Sequence, residues 1–468
     1  MPKLRTRHLA GAGLLALACV ASSSAVAQYG KVRPDDMFVV HELEGYSPTT
    51  GKCPLPVGPH PLPLSDVVNR VLCANPQSAV AWAQVKEQAA NLGQSLSAYL
   101  PTISMGWQPQ RARDTSAGMF PTASTNSQYN TTATVNWLLY DFGQREANHD
   151  EAKQQLFAAN ATQNEAIQQL FLQAAQDFYA VLAARETVDA DNTSLALAKD
   201  IFDAANARFA AGVGSPGDKL QAETALRQSE LTRERDLGTL RNAEGTLAVL
   251  MELDPAANLN LEKSIREPSG LEVKDIGYLI DDALSRRPDL AAAEANIRAA
   301  EANVRATKAS GLPTISLGVS VNHQRIPATG GLTNNNTVGI SINIPIFTGF
   351  KTHYAVKQAE AQLDEKIADR DQTKAQVRLA VWQAYQQLQM ATQQYDTASQ
   401  LAVAAQSSEK VAMGRYKAGV GFILDLVNAQ ESLQSALQQK ISARYGVAAS
   451  KFQLAQSIGI LDLSATLK

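Results

Sequence analysis

Leu100-Pro-Thr-Ile-Ser104 recurs letter for letter as Leu312-Pro-Thr-Ile-Ser316, at an offset of 212 residues that Pro76 and Pro288 share. Farther along, Arg208-Phe-Ala-Ala-Gly-Val-Gly214 returns as Arg415-Tyr-Lys-Ala-Gly-Val-Gly421, now offset by 207, and the pairs Asp218/Asp425 and Leu226/Leu433 keep that second offset. Self-similarity at so long a period means two copies of one large unit rather than a solenoid of small ones. Only five residues of offset are lost between the blocks, so both copies keep one element order. The chain then divides into a leader (1–27), an extended lead-in rich in Pro and Gly (28–62), a first copy (63–262) and a second copy (263–468).

Strand-like alternation follows each Leu-Pro-Thr-Ile-Ser block. Ile103, Met105 and Trp107 alternate with Ser104, Gly106 and Gln108, and Ala133, Val135, Trp137 and Leu139 alternate with Thr132, Thr134 and Asn136. In the second copy Ile315, Leu317, Val319 and Val321 alternate with Ser316, Gly318, Ser320 and Asn322. Val338, Ile340, Ile342, Ile344 and Ile346 alternate with Gly339, Ser341 and Asn343. Four strands of about 8–10 residues are predicted, apolar on one face and small or polar but uncharged on the other. A soluble sheet with one wet face would carry Lys or Glu there, and these strands carry none. Polar stretches at 109–130 and 323–337 read as exposed hairpin loops.

Helices occupy most of the rest. One is predicted from about Leu64 to Tyr99 with a counterpart from about Val273 to Ala309, each stopped by the proline that follows. Two very long ones, Gly143 to Phe209 and Phe350 to Tyr416, contain no internal proline and are each on the order of 100 Å long at 1.5 Å per residue. Ile167, Leu170, Phe171, Ala174, Phe178, Val181 and Leu182 step by three and four, as do Val377, Val381, Tyr385 and Leu388, so coiled-coil packing is expected. Each long helix reaches a Gly-Val-Gly turn and returns as a helix of about 33 residues, Asp218 to Met251 and Asp425 to Ile458.

Lys3, Arg5 and Arg7, the apolar run Leu9 to Val20, and Ala25-Val-Ala27 have the form of a secretory signal with its cleavage site. Leu17-Ala18-Cys19 is a poorer alternative, a lipoprotein processing site. Without residues 1–27 the net charge goes from −3 to −6, and with no basic run nucleic-acid binding is not expected. Cys53 and Cys73 are then an even pair in an exported chain and read as a disulfide, two unpaired thiols being the alternative. No apolar run is long enough for a spanning helix. Four strands per chain are too few for a membrane barrel, whose lower limit is about eight, and lipid tolerates no open strand edge. Closure must come from further copies of the chain.

The six histidines have no metal-ligand spacing, and neither a nucleophile elbow nor a phosphate-binding loop appears. No enzymatic activity, cofactor or metal is expected. A rival reading is a periplasmic coiled-coil scaffold or adaptor with soluble hairpins and no pore.

On the duplicated layout, the Leu-Pro-Thr-Ile-Ser strand entries and the paired Arg-(Phe/Tyr)-x-x-Gly…Asp turns, residues 62–460 resemble the TolC-like outer-membrane channel family of Gram-negative export systems. That resemblance implies a mainly helical chain with a transmembrane β part. Three subunits would complete a twelve-stranded β-barrel in the outer membrane, continued by a duplicated coiled-coil α-barrel across the periplasm. It implies as partners a periplasmic membrane-fusion adaptor and an inner-membrane pump, either an ATP-binding-cassette (ABC) or a proton-driven transporter, for type I protein secretion or multidrug efflux. The turns Gly212-Val213-Gly214 and Gly419-Val420-Gly421 become the adaptor-docking tips, where glycine permits the reversal and a small apolar side chain fits a partner groove. Asp425 matches the first acidic position of the family's periplasmic entrance, while Asn428 stands at the second and halves the expected ring of charge. Tyr416 matches a tyrosine that helps hold the entrance closed. Gly421 stands where a partner arginine is often found, so the closed state must be held differently here. Asp218 and Asp425 also suit the first turn of a helix, where carboxylates gain about 0.3–1 kcal/mol from the dipole.

Overall fold

The computed structural model describes residues 61–116, 122–266, 268, 275–327 and 330–461. The leader, Cys19 and Cys53 lie outside those residues. Cys73 is disulfide-bonded.

The two halves carry one order of elements. The first is α1 (Leu64–Ala74), α2 (Pro76–Ser97), β1 (Thr102–Ser116), β2 (Thr122–Tyr140), α3 (Gln144–Ala210) and α4 (Pro216–Leu250). The second is α5 (Ile276–Arg286), α6 (Pro288–Ala309), β3 (Thr314–Ile326), β4 (Gly331–Asn343), α7 (Lys351–Lys417) and α8 (Ile423–Ile458). Both long helices, α3 and α7, have 67 residues.

Each helix expected to run unbroken into the Leu-Pro-Thr-Ile-Ser block is in fact two. The cause is the proline that marks the repeat, since a residue before proline is driven out of the helical region. Asn75 sits at φ −68°, ψ 131° and Arg287 at φ −65°, ψ 130°. The breaks are stitched by side chains. Asn75 Nδ2 donates to the Leu250 carbonyl at 3.2 Å, and Arg287 Nη1 donates to the Ser457 carbonyl at 3.2 Å.

The described chain forms two compact units. The first unit takes in Val85–Leu156 and Arg298–Leu363, and so holds the whole sheet. Its strands run antiparallel in the order β1-β2-β3-β4. They are longer than expected, with 15, 19, 13 and 13 residues. The stretches read as hairpin loops are largely ladder: Gln110 pairs with Gln128, Arg113 with Thr125, and Gln324 with Thr333. Hydrophobic alternation stops above Trp107, but pairing does not depend on it, because the backbone groups are satisfied across the ladder whatever the side chains. At the other end β4 stops at Asn343, so Ile344 and Ile346 fall beyond it. Pro345 between them has no N–H to offer a ladder. A register shift between Leu138 and Tyr140 puts Tyr140 opposite Ile315.

Across the sheet one face reads Ile103/Val135/Val319/Val338, Met105/Ala133/Val321/Asn336 and Leu317 with Trp137 and Ile340. The other reads Ser104/Thr134/Ser320/Thr337 and Gly106/Thr132/Asn322/Asn335. The apolar face is bare in one chain: Met105 is 78% and Val338 72% exposed. The polar face is knitted together. Ser104 and Thr134 hydroxyls lie 2.6 Å apart, and Gln324 donates to Gln128, which donates to Gln110, both at 2.8 Å.

The second unit comprises residues 61–84, Phe157–Ile297 and the chain from Asp364 onward. Its main core gathers Val67, Val71, Phe171, Phe178, Tyr179, Leu247, Tyr445 and Phe452. The three- and four-residue steps of α3 thus become its buried stripe. Phe178 packs edge-on to Tyr179 with centroids 5.5 Å apart, and Tyr179 donates its hydroxyl to the Arg266 carbonyl at 2.7 Å.

Candidate gate and membrane-facing surface

The two helix-to-helix turns are superposable bond for bond. In the first, Gly212 N donates to Phe209 O, and Val213 N and Gly214 N both donate to Arg208 O, each at 3.0 Å. In the second, Gly419 N donates to Tyr416 O and Val420 N to Arg415 O at 3.0 Å, and Gly421 N to Arg415 O at 3.1 Å. Gly212 and Gly419 sit at φ +74° and +77°, the left-handed cap that glycine adopts without strain. Gly214 and Gly421 are required for space, since a Cβ on either would lie 3.0 Å from the preceding helix's last turn. This geometry pushes Val213 and Val420 outward to the same extent, each 69% exposed.

Beneath the turns Ile201, Ala205, Ala222, Tyr416, Ile423, Leu426 and Val427 form a small separate core. Tyr416 is buried in it, and this burial pushes its hydroxyl pKa up, opposed by the Arg208 charge and reinforced by Asp218. Arg208 joins the two copies. Its Nη1 donates to the Tyr416 carbonyl at 3.3 Å, and its guanidinium carbon stands 5.3 Å from the Tyr416 ring centroid. The sequence offered Arg208 only as a repeat marker; what tied it to Tyr416 was invisible without the fold. Asp425 and Asn428 are both exposed on α8, one helical turn apart on one face. Asp425 lines a groove of about 400 Å³ with Arg415, Gly421 and Phe422. Asp218 sits in the first turn of α4, where its N–H donates to the Ser215 hydroxyl at 3.0 Å.

Sequence comparison decides what this architecture belongs to. The family model described as outer membrane efflux protein matches residues 67–251 and 279–460, one segment in each half. The chain belongs to this family. It is an outer-membrane channel protein that reaches into the periplasm, and the soluble-scaffold alternative falls. It is 27% identical over 385 residues to protein CyaE of Bordetella pertussis, covering 81% of this chain and 80% of that one. To the alkaline protease secretion protein AprF of Pseudomonas aeruginosa it is 22% identical over 398 residues, covering 82% of each. The solved outer-membrane channel OprN superposes with a TM-score of 0.73 at 20% identity, covering 85% of this chain and 89% of that one. The expected fold class, a duplicated long-helix architecture with four strands per chain, is the fold of that channel.

Proposed function

We propose that this channel is the passive outlet of a tripartite exporter. Three copies close their sheets into one twelve-stranded barrel, and the helix turns dock on a periplasmic adaptor fed by an inner-membrane pump. The observation that carries the reading is the sheet itself. The outer edges of β1 and β4 have no partner strand among the described residues, and one face of the sheet is apolar and bare. Neither condition is tolerated in lipid unless β4 of one copy pairs with β1 of the next. Three copies give twelve strands, within the range of outer-membrane barrels.

In this reading Val213 and Val420 are twin adaptor contacts. Arg208 fastens the second turn to the first through Tyr416, in place of the arginine that Gly421 displaces. Asp425, repeated around a threefold axis, favours cations at the entrance, and neutral Asn428 leaves that preference weaker than two acidic rings would make it. The pump supplies the energy. The relative AprF, a protein named for protease secretion, supports an ABC transporter moving a polypeptide.

Cross-linked membranes carrying full-length protein test the assembly. A trimer is expected to bring down an adaptor and an ABC transporter. Val213→Asp with Val420→Asp is expected to lose both while remaining a trimer in the outer membrane. Recovery of a proton-driven antiporter instead would turn the cargo reading to efflux, and adaptor capture undiminished by the double variant would sink the docking role of the tips.

A further inference from the structure

We propose that the outward face of the sheet, just beyond its aromatic belt, binds the phosphates of the outer leaflet's glycolipid. Strand pairing places the residues. Above the apolar rows comes Trp107/Thr131/His323/Asn334, then Pro109/Tyr129/Arg325/Leu332, then Arg111 opposite Ser127 and Arg113 opposite Thr125. Alternation along each strand keeps all of these on the side of Ile103 and Met105. Trp107 and Tyr129, 66% and 42% exposed, are the amphipathic rings that sit at a membrane–water boundary. The polar hairpin end is the outer end, because the opposite strand ends join the periplasmic helices.

Three arginines therefore stand one, two and three rows past Trp107, roughly 7, 14 and 20 Å along a strand. With strands tilted by about 40°, the first height, about 5 Å above Trp107, falls within a headgroup layer of about 5–8 Å. The second, about 11 Å, lies just past it, within the reach of an arginine side chain. Arg111, Arg113 and Arg325 are all exposed, and their side chains have no ion pair or hydrogen bond among the described residues. No aspartate or glutamate occupies any register position of this face from Trp107 outward. Arg111 and Arg325 are separated by one intervening strand, about 10 Å across the sheet. That spacing suits two phosphates on a single glycolipid.

The opposite face decides between solubility and recognition. At the same height the water-facing side carries Gln110, Gln128 and Gln324, uncharged amides bonded to one another at 2.8 Å. Charge needed only to keep a ribbon in water would occupy both faces. Here basic charge is confined to the lipid side, the one charged register position of the other face being acidic, Asp114 opposite Ser124. On the lipid side the guanidinium fork meets phosphate bidentately while its stem lies along apolar surface. The proposal rests on the sheet lying in the outer membrane, so its test must separate the two.

Full-length protein in detergent is titrated with bisphosphorylated lipid A, with the same lipid stripped of phosphate, and with inorganic phosphate, and bound lipid is measured by native mass spectrometry. Bisphosphorylated lipid A is expected to bind at least ten-fold tighter than the stripped form, and inorganic phosphate at equal concentration is expected not to displace it. The triple variant Arg111→Gln, Arg113→Gln, Arg325→Gln is expected to lose that preference, and the triple Arg→Lys variant to keep part of it. Equal binding of both lipid forms to the wild type, an undiminished preference in the Gln variant, or displacement by free phosphate each overturns the proposal. Heat-modifiable gel mobility of the wild type reports the membrane reading separately. The wild-type comparison of the two lipids decides the matter even where the Gln variant fails to assemble.

Discussion

At the strand-to-helix junction of the first half, Asp141-Phe-Gly-Gln-Arg145, the chain turns through two left-handed residues, Phe142 at φ 54° and Gly143 at φ 91°. The second half repeats the manoeuvre 207 residues later in Thr348-Gly-Phe-Lys-Thr352, with Gly349 at φ 62° and Phe350 at φ 63°. The backbones match, but the side chains do not. Asp141 accepts from Arg145 N at 2.9 Å and from its Nε at 3.0 Å, while Arg145 donates onward to the Leu138 and Leu139 carbonyls at 2.7 and 3.1 Å. Thr348 in Asp141's place makes only a 3.5 Å contact to Thr352 N and a 3.2 Å contact to its hydroxyl. The same asymmetry returns at the turns. Ser215 caps α4 with its hydroxyl, whereas Phe422, its counterpart at the same offset, caps α8 with nothing. Duplication has kept the path of the chain and relaxed its polar anchors in one copy. The first half thus becomes the fixed frame and the second the half freer to shift.

The largest test of that contrast is at the junctions. Asp141 and Arg145 side chains are only 6% and 12% exposed, so Asp141→Ala strands a guanidinium beside the strand ends. Loss of one partner from a buried pair costs about 3–5 kcal/mol, and the carbonyls that still hold Arg145 place this case at the lower end. Thr348→Ala is expected to cost under about 1 kcal/mol. Denaturant midpoints of the assembled protein check both values. Equal losses would remove the claim that the first junction is the fixed one.

Next in size is the buried carboxylate of α3. Asp191 is 1% exposed, and residue 398, its counterpart at the same offset, is a buried alanine. Asp191 Oδ1 receives Gln434 Nε2 at 3.1 Å and Gln438 Nε2 at 3.2 Å, and Oδ2 receives no hydrogen bond among the described residues. Burial raises its pKa above the usual carboxylate range, Asp236 adds to the rise, and the two glutamines oppose it. The native state therefore holds this proton more tightly than the unfolded chain does. Stability from this site is present at low pH and falls as pH climbs from the ordinary carboxylate value through the raised one. Asp191→Asn keeps both glutamine bonds and supplies a donor toward Asp236. It is expected to stabilise by about 1 kcal/mol at neutral pH and to flatten the acid side of the stability profile. A melting series from pH 4 to 8 reads both effects, and an unchanged profile would count against Asp191 as its source.

Much of this contrast was beyond reach of the sequence, for identifiable reasons. The repeat, the long helices and the glycine turns were legible because each rests on local spacing: proline-free length, three- and four-residue steps, and Gly-Val-Gly at matching offsets. Strand lengths were underestimated because alternation reports what a face touches, and the ladder from Gln108 to Ser116 continues past the last apolar row. The helix breaks at Asn75 and Arg287 were written in Pro76 and Pro288, read only as markers of the repeat. The proposed roles of the Gly-Val-Gly turns in adaptor docking and of Asp425 and Asn428 at the entrance came from family resemblance. Arg208, by contrast, meets Tyr416 across 208 positions of sequence, and no local pattern carries that contact.

The smallest effect tests the asymmetry at the turns, and it can be run in both directions. Ser215→Ala removes the hydroxyl that accepts Asp218 N at 3.0 Å and is expected to cost about 1 kcal/mol. Phe422→Ser offers α8 the cap it lacks and is expected to gain about 0.5–1 kcal/mol. Phe422 is 77% exposed, so little packing is lost within the chain to offset the gain. Melting temperatures should move in opposite directions for the two variants. The functional consequence is separate: if the uncapped turn lets the entrance move, single-channel recordings of Phe422→Ser should show openings that are rarer than in the wild type at unchanged open conductance. A stabilised variant that opens as often as the wild type would leave the asymmetry real but uncouple it from gating, and the search for the moving part would shift to the Arg208–Tyr416 contact.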